Sequence, residues 1–449
     1  MDILEKHSIE NLENGGFVLV LNTEAKIDGQ AEAMLQALHS RSTGGITSHL
    51  QVLKEKGAEN FMEQFYVGYG HKSIGDCGSA TIFVEGVSML AAKAIQDWRL
   101  YSGQETSTRY VDFSKRKFLN PLGVQEGEEI LENWRKFYLE IQDPLREHLR
   151  KQFPRQEGED EKIYEKAIKA RAFDIERAFL PAGATTNLAW RMNFRQFADE
   201  LMLLRQHPLA EVRDIAEKTE SALRKIYASS FTQERFPNTE NYNQKWMQDG
   251  YYYRNDNLKD FTMLYDGVDR GLLAGYRGFL ESRPMKTELP QTIGECGVVA
   301  YEFLLDFGSF RDLQRHRAVV QRMPLLTSIH GFNEWYFNAM PDELREKAKI
   351  FIAEQEKKIE KLGASDEIKQ YYLAMGYRVA CRLSGDLKAL VYLVELRSTR
   401  FVHPTLVEQM LKMIASLKEL FSKDGLVLHL DEEPNRFDIK RGEHTITAK

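Results

Sequence analysis

The sequence predicts an α+β (α/β) protein made of two tandem domains, each a mixed sheet with long helices. The chain has 449 residues, of which 43% are hydrophobic, and this is enough to build two cores. A polar run with scattered aromatic residues at 229–259 interrupts the apolar periodicity, and we interpret it as a linker between domains at 1–228 and 260–449. The same order of strands and helices recurs on both sides of this linker.

The predicted elements follow from apolar periodicity. In the first half they are a strand at Gly16–Leu21, short helices within Ala31–Leu53, a strand at Ala80–Glu85, a helix at Val87–Tyr101 and long helices within Gly127–Arg177. In the second half they are a strand at Phe261–Tyr265, a helix at Gly267–Glu281, a strand at Val298–Leu305, a helix from Arg311 and long helices within Pro341–Arg382.

Local sequence also points to an internal duplication. Asp76-Cys77-Gly78 precedes the predicted strand in the first half, and Glu295-Cys296-Gly297 precedes its counterpart in the second. Arg99 follows the first acid by about 23 residues and Arg317 follows the second by about 22, so one insertion aligns an acid, a strand and an arginine.

Charge and cysteine usage restrict the class of protein. The 61 basic and 67 acidic residues leave a net charge of −6, so we expect no general affinity for nucleic acid. No segment is apolar enough to predict a secretory signal or a membrane span, and we expect a cytoplasmic protein. The three cysteines lie far apart with no paired ligands, which predicts free thiols and no metal site.

Two short segments carry the residue types that bind phosphate. Residues 102–110 group hydroxyls, a carboxylate and an arginine, while Arg315-His316-Arg317 places two arginines on a predicted helix. An arginine fork can bind two phosphate oxygens together, and hydroxyls and backbone amides donate further hydrogen bonds. Taken singly, the first segment is also compatible with a solvated turn and the second with a solvated helix face.

Side by side, the two segments resemble the signature of the flavin-dependent thymidylate synthases, Arg-His-Arg-x-x-Ser-x-Asn-Glu-x-Ser-x-Arg-Tyr. The first half has Asp97-Trp98 in place of the opening pair and Gln104 in place of the asparagine. It matches at Arg99, Ser102, Glu105, Ser107, Arg109 and Tyr110. The second half keeps Arg315, His316 and Arg317, and has Val320, Arg322, Met323 and Leu325 at the later positions. Each repeat therefore keeps a different part of the signature.

The resemblance implies a site shared between unlike repeats. In the family each site lies between subunits of a homotetramer, so two repeats would imitate two subunits as a pseudo-dimer, and a homodimer would rebuild a pseudo-tetramer. Ser107 and Arg109 of the first repeat would then meet one dUMP together with Arg315 of the second. Asp97 would repel a phosphate dianion, so the first repeat would not complete a site alone.

Further segments extend the resemblance. Arg177-Ala-Phe-Leu-Pro181 resembles the family's Arg-x-x-Leu-Pro, and both Leu204-Arg205 and Leu396-Arg397 resemble its Leu-Arg, of which we favour Arg397. The resemblance implies dUMP-binding roles for Glu105, Ser107, Arg109, Arg177, Arg315 and Arg397, with Arg397 and Arg177 as the catalytic pair. It implies cofactor-binding roles for His71, Ser73, Asp76, Asn193, Arg195, Arg315, His316, Arg317 and His403.

The activity that the resemblance implies is the methylation of dUMP to dTMP. FAD would be the cofactor, with NADPH and methylenetetrahydrofolate as co-substrates, and no protein nucleophile is required. Two alternatives remain open at this point: a flavin enzyme that modifies another pyrimidine nucleotide, and a non-catalytic nucleotide-binding paralogue.

Overall fold

The computed structural model describes residues 6–42, 45–108 and 111–443. Arg109 and Tyr110, which the sequence assigns to the nucleotide site, lie outside the described residues. Contacts divide the chain into two compact units: unit 1 comprises Met1–Val111 and Ala184–Tyr251, and unit 2 comprises Asp112–Gly183 and Tyr252–Lys449.

Unit 1 is built on a five-stranded antiparallel sheet in the order β1-β2-β3-β5-β4. Its strands are β1 (Ser8–Asn11), β2 (Phe17–Val20), β3 (Ser79–Ser88), β4 (Ser102–Glu105) and β5 (Thr185–Asn193). Its helices are α1 (Gly29–Arg41), α2 (Ile46–Lys56), α3 (Glu59–Phe61) with a π-helical continuation at Met62–Gly68, α4 (Lys72–Gly75), α5 (Met89–Gln96), α9 (Phe194–Leu204), α10 (Ala210–Ile226) and α11 (Pro237–Gly250).

Unit 2 contains an antiparallel sheet in the order β7-β8-β11-β9 and a short parallel pair, β6 with β10. These strands are β6 (Tyr252–Tyr253), β7 (Phe261–Asp266), β8 (Val298–Asp306), β9 (Val320–Gln321), β10 (Met323–Pro324) and β11 (Arg378–Asp386).

The helices of unit 2 come from both halves of the sequence. They are α6 (Gln125–Glu140), α7 (Gln142–Gln152), α8 (Glu161–Glu176), α12 (Arg270–Ala274), α13 (Arg277–Ser282), α14 (Phe307–Leu313), α15 (Glu334–Asn338), α16 (Asp342–Glu360), α17 (Asp366–Lys369), α18 (Leu387–Arg397) and α19 (Pro404–Phe421). Short 3₁₀ turns at Arg177–Phe179 and Gln370–Tyr372 precede β5 and β11.

The coarse prediction of a mixed helix-and-sheet α+β fold is confirmed. Four long strands each lead directly into a helix whose first turn is capped by the last residue of the strand. Ser88 caps α5, Asn193 caps α9, Asp306 caps α14 and Asp386 caps α18. The strand order β2-β3-β5-β4 of unit 1 matches β7-β8-β11-β9 of unit 2.

Three details differ from the sequence-based prediction. Residues Arg378–Asp386 form strand β11, not part of a long helix, because this short run pairs with β8 on one side and β9 on the other. The interval 229–259 contains helix α11, which starts with a proline at its first position and buries Asn243 and Met247. Residues 112–183 belong to unit 2, so the compact units differ from the predicted domains 1–228 and 260–449.

Equivalent segments of the two halves pair within unit 2. Ala182 donates its backbone N–H to Leu373 at 2.8 Å, and Met375 donates to Leu180 at 2.9 Å, with an antiparallel bridge between Pro181 and Ala374. A Cβ at Gly183 would lie 2.6 Å from the Tyr371 carbonyl oxygen, so this close approach requires glycine. The pairing sets the position of Arg177 at the start of the segment.

Cys77, Cys296 and Cys381 are free thiols, the last two buried. Within the described residues, no cluster of three histidine, cysteine or carboxylate side chains could hold a metal ion. Of the helices in the described ranges, none combines the length and apolar character needed to cross a bilayer.

Candidate functional site

The Arg315-His316-Arg317 segment lies on the turn that follows α14 in unit 2. The preceding helix is fixed at its start because the Asp306 carboxylate accepts a hydrogen bond from the backbone N–H of Ser309 at 2.8 Å. The turn is fixed at its end because Gln321 on β9 donates to the carbonyl oxygens of Leu313 and His316 at 3.1 and 2.9 Å. Strand and helix together therefore hold this segment at the edge of the sheet.

Arg177 reaches the same region from the other half of the sequence. It follows α8 on a 3₁₀ turn and is only 9% exposed. Its closest described polar contact is the Ser309 hydroxyl, 3.5 Å from a terminal guanidinium nitrogen, and its Nε–H has no hydrogen-bond partner among the described residues. Burial lowers the pKa of Arg177, but the fields of Tyr336 and Asp174 outweigh this and raise it. Arg177 is thus a charged, buried arginine beside α14 that has no close ion pair among the described residues.

Asp312, the penultimate residue of α14, lies in the electrostatic field of four arginines. Arg315 Nε is 3.7 Å from Asp312 Oδ1. Burial raises the pKa of Asp312, but Arg177, Arg315, Arg397 and Arg311 together lower it below its usual value. We call Arg177, Arg311, Arg315 and Arg397 the arginine cluster. Three of its members are residues that the sequence assigns to dUMP, and Asp312 is the carboxylate common to all four.

Arg397, the last residue of α18, is joined to His316. Its Nε–H donates to His316 Nε2 at 2.6 Å, so this ring nitrogen must carry a lone pair. Burial and the neighbouring Arg397 lower the pKa of His316 to about 3, which keeps the ring neutral. The Tyr392 ring packs against His316 with centroids 5.9 Å apart. The imidazole therefore orients the Arg397 guanidinium.

His403 supports the cluster from inside the unit. It is 4% exposed and caps the first turn of α19. Its Nδ1 lies 3.3 Å from the Ser309 hydroxyl, while its Nε2–H donates to the Asp174 carbonyl at 3.0 Å. Burial and Arg177 lower the pKa of His403 to about 4, so this ring is also neutral. The His403 ring is enclosed by protein. A direct contact between His403 and the flavin therefore remains a prediction.

Unit 1 brings together three of the residues that the sequence assigns to the flavin. Arg195 is 3.0 Å from the Asp76 carboxylate, and the Asn193 amide donates to the same carboxylate at 3.4 Å. His71 and Ser73, at the start of α4, are exposed and lie shortly before Asp76 in the sequence. Exposed guanidinium, amide and hydroxyl donors of this kind suit a large hydrogen-bonding cofactor with anionic groups.

Glu105 and Ser107 differ sharply in exposure. The Glu105 carboxylate lies 2.9 Å from the Lys93 ammonium group and accepts a hydrogen bond from Gln96 at 3.0 Å. The side chains of Lys93 and Glu105 are 2% and 4% exposed, so this is a buried ion pair. Ser107 is exposed after the end of β4. Direct binding of dUMP by Glu105 and Ser107 remains a prediction.

Arg205, the alternative to Arg397, pairs with two carboxylates. Its guanidinium lies 2.8 Å from Glu220 and 2.9 Å from Glu240, and its side chain is 8% exposed. Its Nε–H has no hydrogen-bond partner among the described residues. The choice of Arg397 over Arg205 remains a prediction.

Two buried or partly buried polar residues were not found by motif comparison. Asp312 is the lone acid between Arg311 and Arg317, and this pattern could have singled it out. In the second half, Gln370 stands at the position that Arg177 has in the first half; it begins the segment Gln370-Tyr-Tyr-Leu-Ala-Met-Gly376. The Gln370 side chain accepts a hydrogen bond from the backbone N–H of Leu326 at 3.0 Å. A buried glutamine thus replaces the arginine in the second half.

A cavity of about 370 Å³ in unit 2 shares Tyr392 with this region. Its acids and bases are largely paired with one another: Lys388 lies 2.6 Å from Glu288, and Arg283 pairs with Glu395. The arginine cluster, in which buried Arg177 has no close ion pair among the described residues, is therefore the stronger candidate for an anion site.

Comparison with known proteins identifies a related family. Residues 21–227 match the family model described as thymidylate synthase complementing protein. Over 178 residues, the chain is 27% identical to a flavin-dependent thymidylate synthase of Thermococcus onnurineus, covering 38% of this chain and 64% of that protein. These matches confirm the resemblance read from the sequence.

Longer relatives match both halves of the chain. A UPF0159 protein of Chlamydia muridarum is 26% identical over 404 residues, covering 76% of this chain and 75% of the relative. A UPF0159 protein of Thermoplasma acidophilum is 23% identical over 451 residues, covering 84% and 90%. Arg315 and Arg397 lie outside the 21–227 match, whereas Arg177 lies within it.

Proposed function

We propose, on the premise that residues 21–227 form a domain of the thymidylate synthase complementing protein family, that the protein methylates dUMP to dTMP. Methylenetetrahydrofolate would provide the one-carbon unit and NADPH the reducing equivalents, with FAD as cofactor. The observation that carries the proposal is the arginine cluster, in which buried Arg177 has no described ion-pair partner and Arg315 and Arg397 share Asp312 with it.

The charge of the cluster suits a phosphate monoester. The guanidinium groups that act on Asp312 outnumber this carboxylate, and a phosphate dianion would offset part of their positive charge. A guanidinium also matches the spacing of two phosphate oxygens, and each charge-assisted hydrogen bond contributes roughly 1.5–3 kcal/mol. The 5′-phosphate of a nucleotide is therefore the group that we assign to this site.

Arg397 and Arg177 are the proposed catalytic pair. We assign Arg397 to the pyrimidine, where its guanidinium would stabilise negative charge that develops on the ring during alkylation at C5. The hydrogen bond from Arg397 Nε to His316 fixes the guanidinium before substrate arrives, so little reorganisation is required. Arg177, buried beside Ser309, would hold the nucleotide in position relative to Arg397.

We assign flavin binding to the residues that the family resemblance indicates. They are His71, Ser73, Asp76, Asn193, Arg195, Arg315, His316, Arg317 and His403. When bound and reduced, the flavin supplies the hydride that completes the methyl group. The protein side chains bind and orient the reactants and exclude water.

We further propose that the active site is composite. Ser107 and Arg109 of the first repeat would join Arg315 of a second repeat, and a homodimer would form a pseudo-tetramer of four repeats. The matching strand orders of the two sheets support this repeat, as does the pairing of Leu180–Ala182 with Leu373–Met375. Asp97, two residues before Arg99, makes a complete site within the first repeat unfavourable.

A second candidate is a flavin enzyme that acts on another pyrimidine nucleotide. Three signature positions that carry polar groups in the family are Val320, Met323 and Leu325 here, and these side chains donate no hydrogen bonds. Such changes can alter the recognition of the base while the arginine cluster retains the phosphate.

The decisive experiment supplies the purified protein with FAD, NADPH, methylenetetrahydrofolate and either dUMP or dCMP, and analyses the nucleotides by mass spectrometry. We expect a product 14 mass units heavier from dUMP and none from dCMP. Product from dCMP alone would support the second candidate. A preparation that binds dUMP but stays colourless with FAD would support the non-catalytic paralogue.

A further inference from the structure

Asp174, a carboxylate one helical turn before Arg177, pairs with an arginine from the C-terminal end of the described chain. It lies on α8 three residues before Arg177, a spacing at which side chains share one face of a helix. Its carboxylate is 2.7 Å from the Arg441 guanidinium, and the two side chains are 1% and 8% exposed. Arg441 therefore forms a buried ion pair with an acid that is well placed to pair with Arg177.

The segment that carries Arg441, residues 431–443, packs closely against α8. Within this C-terminal segment, Phe437 stacks on the phenylalanine that ends α7, with ring centroids 4.6 Å apart. A 3₁₀ turn then contains Arg441 and Gly442. A Cβ at Gly442 would lie 2.3 Å from the carbonyl oxygen of Ile163 on α8, so this approach requires glycine. The packing thus brings Arg441 to the buried side of α8.

Asp306, a second carboxylate that acts on Arg177, also has other partners. It accepts hydrogen bonds from the Ser309 backbone N–H at 2.8 Å and from the Tyr336 hydroxyl at 2.9 Å. Burial lowers the pKa of Arg177, but the fields of Tyr336, Asp174 and other acids raise it. The closest described polar contact of the guanidinium is still the Ser309 hydroxyl at 3.5 Å. Arg177 therefore stays charged although neither aspartate forms an ion pair with it.

We infer that Arg441 is a positioning residue, which pairs with Asp174 and so leaves the Arg177 guanidinium available to an anionic ligand. The inference rests on the proposed nucleotide site and adds to it a residue of the C-terminal segment. Without Arg441, the buried Asp174 carboxylate loses a guanidinium partner, and an ion pair with Arg177 can replace it. A ligand would then compete with Asp174, so its apparent affinity would fall with the fraction of molecules in which Arg177 is free.

Arg171 is another arginine that acts on Asp174, and its surroundings differ from those of Arg177. It lies one helical turn before Asp174 on α8, and its guanidinium is placed over the Trp335 ring, 5.6 Å from the centroid. An ion pair with Asp174 would draw Arg171 away from this cation–π contact. We therefore expect Arg177, and not Arg171, to replace Arg441 as the partner of Asp174.

The test is a double-mutant cycle on the affinity of the full chain for dUMP, measured by calorimetry. We expect Arg441→Ala to weaken dUMP binding by about tenfold. In an Arg177→Ala background the same substitution should have no further effect, because the residue through which Arg441 acts is gone. Equal losses in both backgrounds would overturn the inference, since a merely structural role of Arg441 would not depend on Arg177. Unchanged dUMP affinity in Arg441→Ala would overturn it as well.

Rescue and control variants are compared at a temperature at which circular dichroism shows each of them folded. Arg441→Lys keeps a cation for Asp174 and should retain most of the dUMP affinity. Adding Asp174→Asn to Arg441→Ala removes the competing charge and should restore the affinity, and a failure to do so would contradict the inference. Arg436→Ala removes an exposed arginine of the same segment, which pairs with Glu433 at 3.3 Å, and should leave the affinity unchanged.

A parallel assay for dTMP separates the inference from the proposed reaction. If no dTMP forms but Arg441→Ala weakens dUMP binding through Arg177, the reaction fails and the inference stands. If dTMP forms and Arg441→Ala binds dUMP normally, the inference alone fails. Absence of dUMP binding by the unmodified chain would contradict both.

Discussion

His316 accepts a hydrogen bond at Nε2 from Arg397 Nε, 2.6 Å away, although the two residues are 81 positions apart in sequence. The bond joins the turn after α14 to the end of α18. Because His316 is buried and neutral, it accepts this bond without adding charge to the arginine cluster. The histidine can therefore act as a positioning residue for Arg397.

Replacement of His316 should affect turnover more than binding. In His316→Ala the Arg397 guanidinium loses its acceptor and samples more orientations, so we expect kcat for dTMP formation to fall by about tenfold or more. The KM for dUMP should change by less, because the other arginines remain. Steady-state kinetics measures the split, and His316→Gln, which retains an acceptor, should recover part of kcat. Equal losses in kcat and in dUMP affinity would contradict a positioning role.

The arginines assigned to phosphate should contribute directly to affinity. Arg109→Ala and Arg315→Ala should each weaken dUMP binding by about 2 kcal/mol, roughly thirtyfold, through loss of a charged hydrogen bond. Equilibrium dialysis with labelled dUMP measures this, and Arg345→Ala, an arginine outside the cluster, is the control. Normal dUMP affinity in Arg109→Ala would refute the composite site, and normal affinity in Arg315→Ala would refute the arginine cluster.

Much of the fold could be read from local sequence because its long strands and caps are local features. The strands β2, β3, β7 and β8 were predicted close to their observed positions, since each is a short apolar run bounded by turn residues. Strand β11 was missed because a short apolar run such as Arg378–Asp386 is compatible with helix or strand. Its identity depends on pairing with β8, whose residues lie about 80 positions earlier.

The arginines of the cluster were predictable for a different reason. Arg177, Arg315 and Arg397 each belong to a short motif, so comparison with a signature could single them out one at a time. Asp312 belongs to no such motif, and its contact with Arg315 and the effect of the other arginines on its pKa follow from the fold. The burial of Glu105 against Lys93 was likewise hidden, because a glutamate within a polar segment is usually exposed.

Arg205 and Arg397 offer a paired test of the two Leu-Arg segments. Arg397→Ala should lower dTMP formation by at least tenfold with little loss of stability, since this arginine is half-buried and its described hydrogen bond is to neutral His316. Arg205→Ala should lower the free energy of unfolding by about 2 kcal/mol, because Glu240 loses its guanidinium partner while Glu220 keeps Arg224 and Arg235. Activity assays and urea denaturation of both variants separate the roles. The opposite pattern would show that Arg205 is the working copy.

The Lys93–Glu105 pair should be structurally important in unit 1. Lys93→Met leaves the buried Glu105 carboxylate without its ammonium partner, although Gln96 still donates to it, and we expect a loss of about 3–5 kcal/mol in the free energy of unfolding. Adding Glu105→Gln should recover much of this loss, since it removes the buried negative charge. Lys6→Met, which breaks the exposed pair with Glu24, should cost less than about 1 kcal/mol. A loss in Lys93→Met no larger than in Lys6→Met would show that the pair is not a buried one in solution.

Glu176 should make unit 2 more stable in mild acid than in mild base. The residue is 2% exposed, its Oε1 lacks a hydrogen-bond partner among the described residues, and burial raises its pKa to about 7. Since the folded-state pKa lies above the unfolded value of 4.5, the stabilising effect is complete below about pH 4.5 and is lost as the pH rises through 7. By pH 8 the loss is on the order of 3 kcal/mol.

A neutral isostere at this position should remove that pH dependence. Glu176→Gln should therefore raise the melting temperature at pH 8 relative to the unmodified protein, and change it little at pH 5. Neutral His316 and His403 act in the opposite sense, because their lowered pKa values favour the folded state as the pH rises above about 4 towards 6.5. The comparison must therefore be made between variants at each pH, so that the histidines contribute equally. An equal shift in melting temperature at pH 5 and pH 8 would show that Glu176 does not titrate in this range.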